Sequence, residues 1–248
     1  MHITFWAILA GAVIVSGMAY DKTEDGTGNQ DSRNLVRARV VLLHGLGRSS
    51  RSMEKVASYL EHQGYDTVNV DYPSTRLAIE DIVSRHVVPA VSRLKAQGKG
   101  PIHFVTHSLG GILLRQYLQT ESLPQGSRAV LLAPPNHGSE LADTLKPFLL
   151  YKWLMGPAGQ QLGTDASSAP NQLKPIDMEV GIITGDRDMF PLFSPVFSGA
   201  NDGKVSVKSA ELQGMKDFKI IHCGHTFIMN QEEVIKDVAH FFATGRFQ

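Results

Sequence analysis

From residue 39 almost to its end, the chain alternates between short runs of apolar, often β-branched residues and longer segments with apolar residues three and four apart. An apolar run without polar alternation reads as a strand covered on both faces, as in a parallel sheet flanked by helices. The expected strands are RVVLL at 39–43 and the runs at 67–70, 102–106, 129–132, 180–184 and 218–221. Residues 52–62 carry Met53, Val56, Ala57 and Leu60 at helix spacing, and 79–96 read as an amphipathic helix with a kink or restart at Pro89. Residues 110–118 and 231–242 are expected as further helices. Repeated right-handed βα units over this length predict one α/β domain from about Leu35 to Gln248, with a mostly parallel sheet and helices on both faces.

What precedes residue 35 differs in kind. Residues 3–20 contain no Asp, Glu, Lys or Arg and are dominated by Ile, Val, Ala, Leu, Phe and Trp, which reaches the lower limit for a membrane-spanning helix. Gly17 and Ala19 form a small-x-small site, so residues 1–20 are expected to be a signal peptide or a membrane anchor. Residues 21–34, polar and Gly-containing, are the expected linker. Export or membrane anchoring follows as the expected localisation. Lys plus Arg and Asp plus Glu balance at 24 each, which leaves no electrostatic footprint for nucleic acid. The lone Cys223 forms no intramolecular disulfide and says nothing of redox compartment.

The segment richest in chemistry is Thr106-His107-Ser108-Leu109-Gly110-Gly111, between an expected strand and an expected helix. A serine at the tip of a sharp strand-to-helix turn holds its hydroxyl clear of the backbone, and small neighbours let strand and helix pass closely. The helix that follows aims free N–H groups and its dipole at the place where an oxyanion would form. Ser108 is therefore the candidate nucleophile. Thr106 stands where the G-x-S-x-G pattern has its first glycine, so the string alone is a weaker signal than the full pattern.

With these residues in view, the sequence resembles the α/β-hydrolase superfamily, and within it the bacterial lipases and esterases. VVLLHGLGRS resembles their oxyanion loop, THSLGG their nucleophile elbow, LLAPPNHGSELAD the segment after the next strand, and NDGKVSV the stretch with the catalytic acid. The resemblance covers roughly residues 38–245 and implies ester hydrolysis without a cofactor.

A serine hydroxyl needs a base to take its proton, and the base needs a carboxylate to fix its tautomer. In this fold the chain order is Ser, acid, His. Of the histidines after Ser108, His137 comes too early, His240 falls mid-helix and His222 ends a strand, whereas His225 lies beyond Gly224 in the loop before the last helix. His225 is the expected base. For the acid, the resemblance favours Asp202, in Asp202-Gly203-Lys204-Val205, over Asp186 and then Asp188. Leu109, just after the nucleophile, supplies one oxyanion N–H, and the resemblance places the second at Leu46. His44 and His107 are expected to orient or pack rather than carry protons. The spacing of His222, Cys223 and His225 is too short for a metal site, so no metal is expected.

Between 138 and 176 the strand pattern breaks for an insertion rich in Leu, Phe, Tyr, Trp and Met, which reads either as a short helical cap over the site or as core on the sheet edge. The expected activity is a serine carboxylester hydrolase acting on a small-molecule or lipid acyl ester. An acyltransferase or thioesterase with the same residues, or a catalytically silent binding module of this fold, are the alternatives.

Overall fold

The computed structural model describes residues 38–188 and 191–248. The expected signal peptide or anchor, the linker and the start near Leu35 lie outside the described residues.

Six strands form one sheet in the order β2-β1-β3-β4-β5-β6, every pair parallel. They are β1 (Arg39–Leu43), β2 (Asp66–Val70), β3 (Ile102–His107), β4 (Arg128–Leu132), β5 (Glu179–Gly185) and β6 (Asp217–Ile221). Every residue of β1 and β3 is buried, as their uninterrupted apolar runs require of central strands covered on both sides. Alternation splits each strand between two cores. Val41 and Leu43 of β1 enter the core beneath α4 (Leu109–Tyr117) and the helical segment from Ile79, whereas Val40 and Leu42 enter the core beneath α1 (Glu54–His62) and α9 (Glu232–Thr244). The expectation of helices on both faces of a parallel sheet holds, and all six strands are parallel.

The helix expected over 79–96 is divided. α2 (Ile79–Ile82) passes through a π turn at Val83–Val87 into α3 (Val88–Gln97). Pro89 has no N–H to donate, and the Val88 N–H bonds to the Val83 carbonyl five residues back, so the proline is accommodated by a local bulge rather than a break.

The insertion after β4 folds as α5 (Glu140–Leu145), α6 (Leu149–Gln160) and α7 (Ala169–Gln172). Its base is fastened by Arg115 of α4, a buried guanidinium that donates to the carbonyls of Asn136 (2.9 Å), Pro170 (3.1 Å) and Leu173 (3.1 Å). The short helix α8 (Val207–Ala210) completes the described α-helices.

Candidate active site

All strands point the same way, so the loops after β1, β3, β5 and β6 meet at one edge of the sheet. Ser108 sits between β3 and α4 with φ 52° and ψ −117°, a positive-φ conformation that a serine adopts only under constraint. The helix that follows is packed tightly against the sheet. A Cβ on Gly110 would stand 2.5 Å from the Leu43 carbonyl oxygen, and one on Gly111 2.8 Å from a Leu131 methyl, so only glycines let α4 rise this close to the sheet. The Ser108 N–H donates to the Leu132 carbonyl (2.9 Å), which fixes the turn against β4.

The Asp202 carboxylate is divided between two tasks. Oδ1 accepts the N–H groups of Lys204 (3.0 Å) and Val205 (2.8 Å), and Oδ2 lies 2.7 Å from Nδ1 of His225. Both side chains of this Asp–His pair are buried. The backbone repeats the link, because the His225 N–H donates to the Asp202 carbonyl at 3.0 Å. Gly185, at the end of β5, makes the approach possible: a Cβ there would stand 2.2 Å from the Cys223 carbonyl oxygen and 3.1 Å from the Asp202 Cβ.

Asp186 is brought to a different partner. It bonds Nδ1 of His222 at 2.9 Å, in a pair whose imidazole is 76% exposed. Asp188 bonds the Ser194 hydroxyl. His137 is held through its N–H by the Ser209 carbonyl, and His240 lies half-buried on α9; neither lines the cavity that holds Ser108. Burial raises the Cys223 thiol to about 12, which leaves it inert as a thiolate ligand. Among the described residues no group of three or more His, Cys, Asp or Glu side chains is placed to hold a metal ion.

Ser108 and His225 share the wall of a cavity of about 270 Å³. Leu141, Ala142, Leu145, Tyr151, Met155 and Leu162 of the insertion form its apolar side. Larger depressions exist, one of about 700 Å³ lined by Glu80, Gln116 and Lys146, but that one is polar and holds neither Ser108 nor a histidine. The insertion thus covers the site with one face, while Phe148, Leu149, Leu150 and Trp153 of the other face stand in solvent, Leu149 at 82% and Trp153 at 78%. Neither the cap nor the core reading alone describes such a segment, since its apolar residues point both ways.

Leu46, on the loop after β1, lines the same cavity, and Leu109 is the first residue of α4, so its N–H has no acceptor within the helix. Gly45 allows the loop to lie against the elbow, because a Cβ there would stand 2.7 Å from Nδ1 of His107. A model of the alpha/beta hydrolase family matches residues 40–237 of the sequence.

The chain belongs to the alpha/beta hydrolase family.

Solved structures share its fold. The mature lipase BlEst2 of Bacillus licheniformis superposes with a TM-score of 0.68 at 19% identity, covering 84% of this chain and 93% of that one. A metagenomic carboxyl esterase gives 0.63 at 16% identity, covering 84% and 74%. The phospholipase PlaB of Legionella pneumophila gives 0.61 at 17%, covering 84% of this chain and 58% of that one. A comparison with curated proteins returned no match.

Two supports of this hydrolase-fold site are visible only in three dimensions. His107, buried, lies 3.0 Å through Nε2 from the His225 carbonyl, so Nε2–H donates and ties the residue before Ser108 to His225. Burial first, and then the neighbouring His225, push its pKa well below the usual histidine value and keep the ring neutral. His44 stacks on Tyr72 with ring centroids 3.9 Å apart, and its Nδ1–H donates to the Gly45 carbonyl at 2.9 Å. The Tyr72 hydroxyl donates to the His44 carbonyl at 2.5 Å, which braces the β1 loop from below. The two histidines in the motifs had marked these positions; Tyr72 carried no sequence signal.

Proposed function

We propose that this protein is a serine carboxylester hydrolase that cleaves hydrophobic acyl esters through an acyl-enzyme on Ser108. The observation that carries this reading is the convergence of a strained serine and a buried 2.7 Å Asp–His pair on one largely apolar cavity. In this reading Asp202 holds the His225 proton on Nδ1 and leaves Nε2 free. Nε2 takes the Ser108 proton as Oγ bonds to the ester carbonyl carbon, and the carbonyl π electrons move onto oxygen. The N–H groups of Leu46 and Leu109 receive that oxyanion. Collapse of the tetrahedral species breaks the bond to the alcohol, which leaves with the proton from His225, and water repeats the sequence to free the acid.

A cavity of about 270 Å³ is at the small end for a ligand site, which favours short to medium acyl groups over long ones. The lipase and esterase names of the structural neighbours agree with ester chemistry. The charge-free apolar segment at 3–20 supports export or membrane anchoring, testable by fractionating cells that express the full chain.

The test of the activity is hydrolysis of a chain-length series of nitrophenyl esters by the full chain and its Ser108→Ala variant, with labelling by a serine-directed phosphonate. Activity and labelling in the parent, both absent from the variant, are expected. A folded parent that neither hydrolyses nor labels would refute the reading.

A further inference from the structure

Two cations stand in the cavity wall, and no carboxylate does. Arg48, from the β1 loop, and Lys204, from the loop that carries Asp202, both line the space shared by Ser108 and His225. Neither has a carboxylate partner among the described residues. Asp202, the acid that acts on Lys204, is committed to His225 and two backbone N–H groups.

Their positions relative to the base are informative. Lys204 is two residues from Asp202, and the Arg48 guanidinium lies 5.6 Å over the ring of Phe227, two residues beyond His225. Both therefore flank the His225 side of the cavity, and Arg48 also borders Leu154 and Met155 of the insertion. In the proposed reaction the base delivers its proton to the departing alcohol, so that side is where the alcohol portion of the ester lies. Partial desolvation first, and then the like charge of Arg48, lower the Lys204 pKa against the pull of Asp202, although the lysine side chain remains open to solvent. Such a pair is stabilised by an anion placed between them, and a guanidinium with an ammonium matches the oxygens of a phosphate group.

We infer that Arg48 and Lys204 form an anion subsite that selects acyl esters whose alcohol portion carries a phosphate group. This deepens the proposed function and rests on Ser108 and His225 marking the reacting end of the cavity.

The test compares 1-octanoylglycerol 3-phosphate with 1-octanoylglycerol, both in monomeric solution, for the parent and for Arg48→Gln, Lys204→Gln and the double variant. The ratio of kcat/KM for the phosphate ester to that for the neutral ester is expected to fall about tenfold in each single variant and further in the double, as loss of a charge-assisted bond requires. A ratio unchanged within twofold in the double variant overturns the subsite. Selection that appears only when the phosphate is on vesicles of phosphatidic acid also overturns it, in favour of attraction to a charged surface.

A second readout is independent of hydrolysis. Binding of octyl phosphate to the Ser108→Ala protein, by calorimetry, is expected to weaken at least tenfold when Arg48 and Lys204 are both replaced by Gln. If no ester is turned over but this loss is seen, the subsite stands and the hydrolase reading fails. Equal binding with and without the two cations overturns the subsite whatever the hydrolysis assay gives.

Discussion

Replacing Asp202 by Asn changes one atom of the carboxylate, and the geometry determines where the new amide must point. At present Oδ1 accepts two backbone N–H groups and Oδ2 faces Nδ1 of His225. An amide has a single acceptor oxygen, and the two N–H donors claim it. Its NH2 group then faces Nδ1, which must become the acceptor, so the ring proton moves to Nε2. That nitrogen can no longer take a proton from Ser108. Turning the amide over restores the tautomer but sets its NH2 against the N–H groups of Lys204 and Val205, at about 1–3 kcal/mol for each buried donor left without an acceptor. The negative charge that stabilises the imidazolium is lost in either case. Whichever orientation is adopted, the loss expected for such a change is about 5.5 kcal/mol in the barrier, or about four powers of ten in kcat. The assay is nitrophenyl hexanoate hydrolysis at pH 8, with urea denaturation to confirm that the fold is kept. Asp186→Asn serves as the comparison and should stay within about twofold, because its histidine partner is solvent-exposed. Asp202→Asn activity within tenfold of the parent would sink the tautomer argument, and a matching loss in Asp186→Asn would move the acid to that residue.

Other perturbations test separate parts of the structure. Ser108→Gly removes the hydroxyl and the positive-φ strain together, so it should abolish hydrolysis while raising stability by about 1 kcal/mol in urea denaturation; a loss of stability would show that the turn is not strained. Arg115→Met leaves the carbonyls of Asn136, Pro170 and Leu173 without their donor and should cost about 3 kcal/mol, read as a lower urea midpoint; an unchanged midpoint would mean that water replaces the guanidinium. His103 is buried, and burial followed by the Arg128 charge lowers its pKa to about 4; Nδ1, which accepts the Arg128 N–H, must also stay unprotonated. Its folded pKa lies below the unfolded value of about 6.5, so this stability is present at pH 7 and is lost as pH falls from 6.5 towards 4, amounting to about 2 kcal/mol by pH 5. His103→Asn keeps an acceptor and removes the titration, so its stability should fall less steeply between pH 7 and 5; equal slopes would exclude His103 as the source.

Much of the architecture was readable because its central strands are dry. A run such as Val40 to Leu43 has no polar position to give a solvated face, so it belongs inside a parallel sheet whatever its neighbours do. The order Ser108, Asp202, His225 was expected from the fold's succession of strand-end loops, and the choice of Asp202 among the acids came from the resemblance. The insertion was ambiguous because Tyr151 and Met155 face the cavity from the same helix that turns Leu149 and Trp153 to solvent, and periodicity does not say which face is covered. Arg48 and Lys204 could not be paired from sequence, because they are 156 positions apart and each reads as an ordinary surface cation. The clamp from His107 to His225 is hidden likewise, since its acceptor is a backbone carbonyl.

The position of β6 has a consequence for how activity is lost. It is an edge strand, paired on one side to β5 alone, and only Ile221 of its five residues is fully buried. His225, the proposed base, hangs immediately beyond it, whereas Ser108, the proposed nucleophile, follows β3 in the middle of the sheet. Edge elements open at lower free energy than central ones, so hydrogen exchange should find the amides of β6 opening while those of β1 and β3 remain protected. Mild heat or urea would then disconnect the base while the elbow and both cores are still folded. Inactivation is expected to precede global unfolding and to reverse on dilution, making catalysis a gauge of one margin of the domain rather than of its whole.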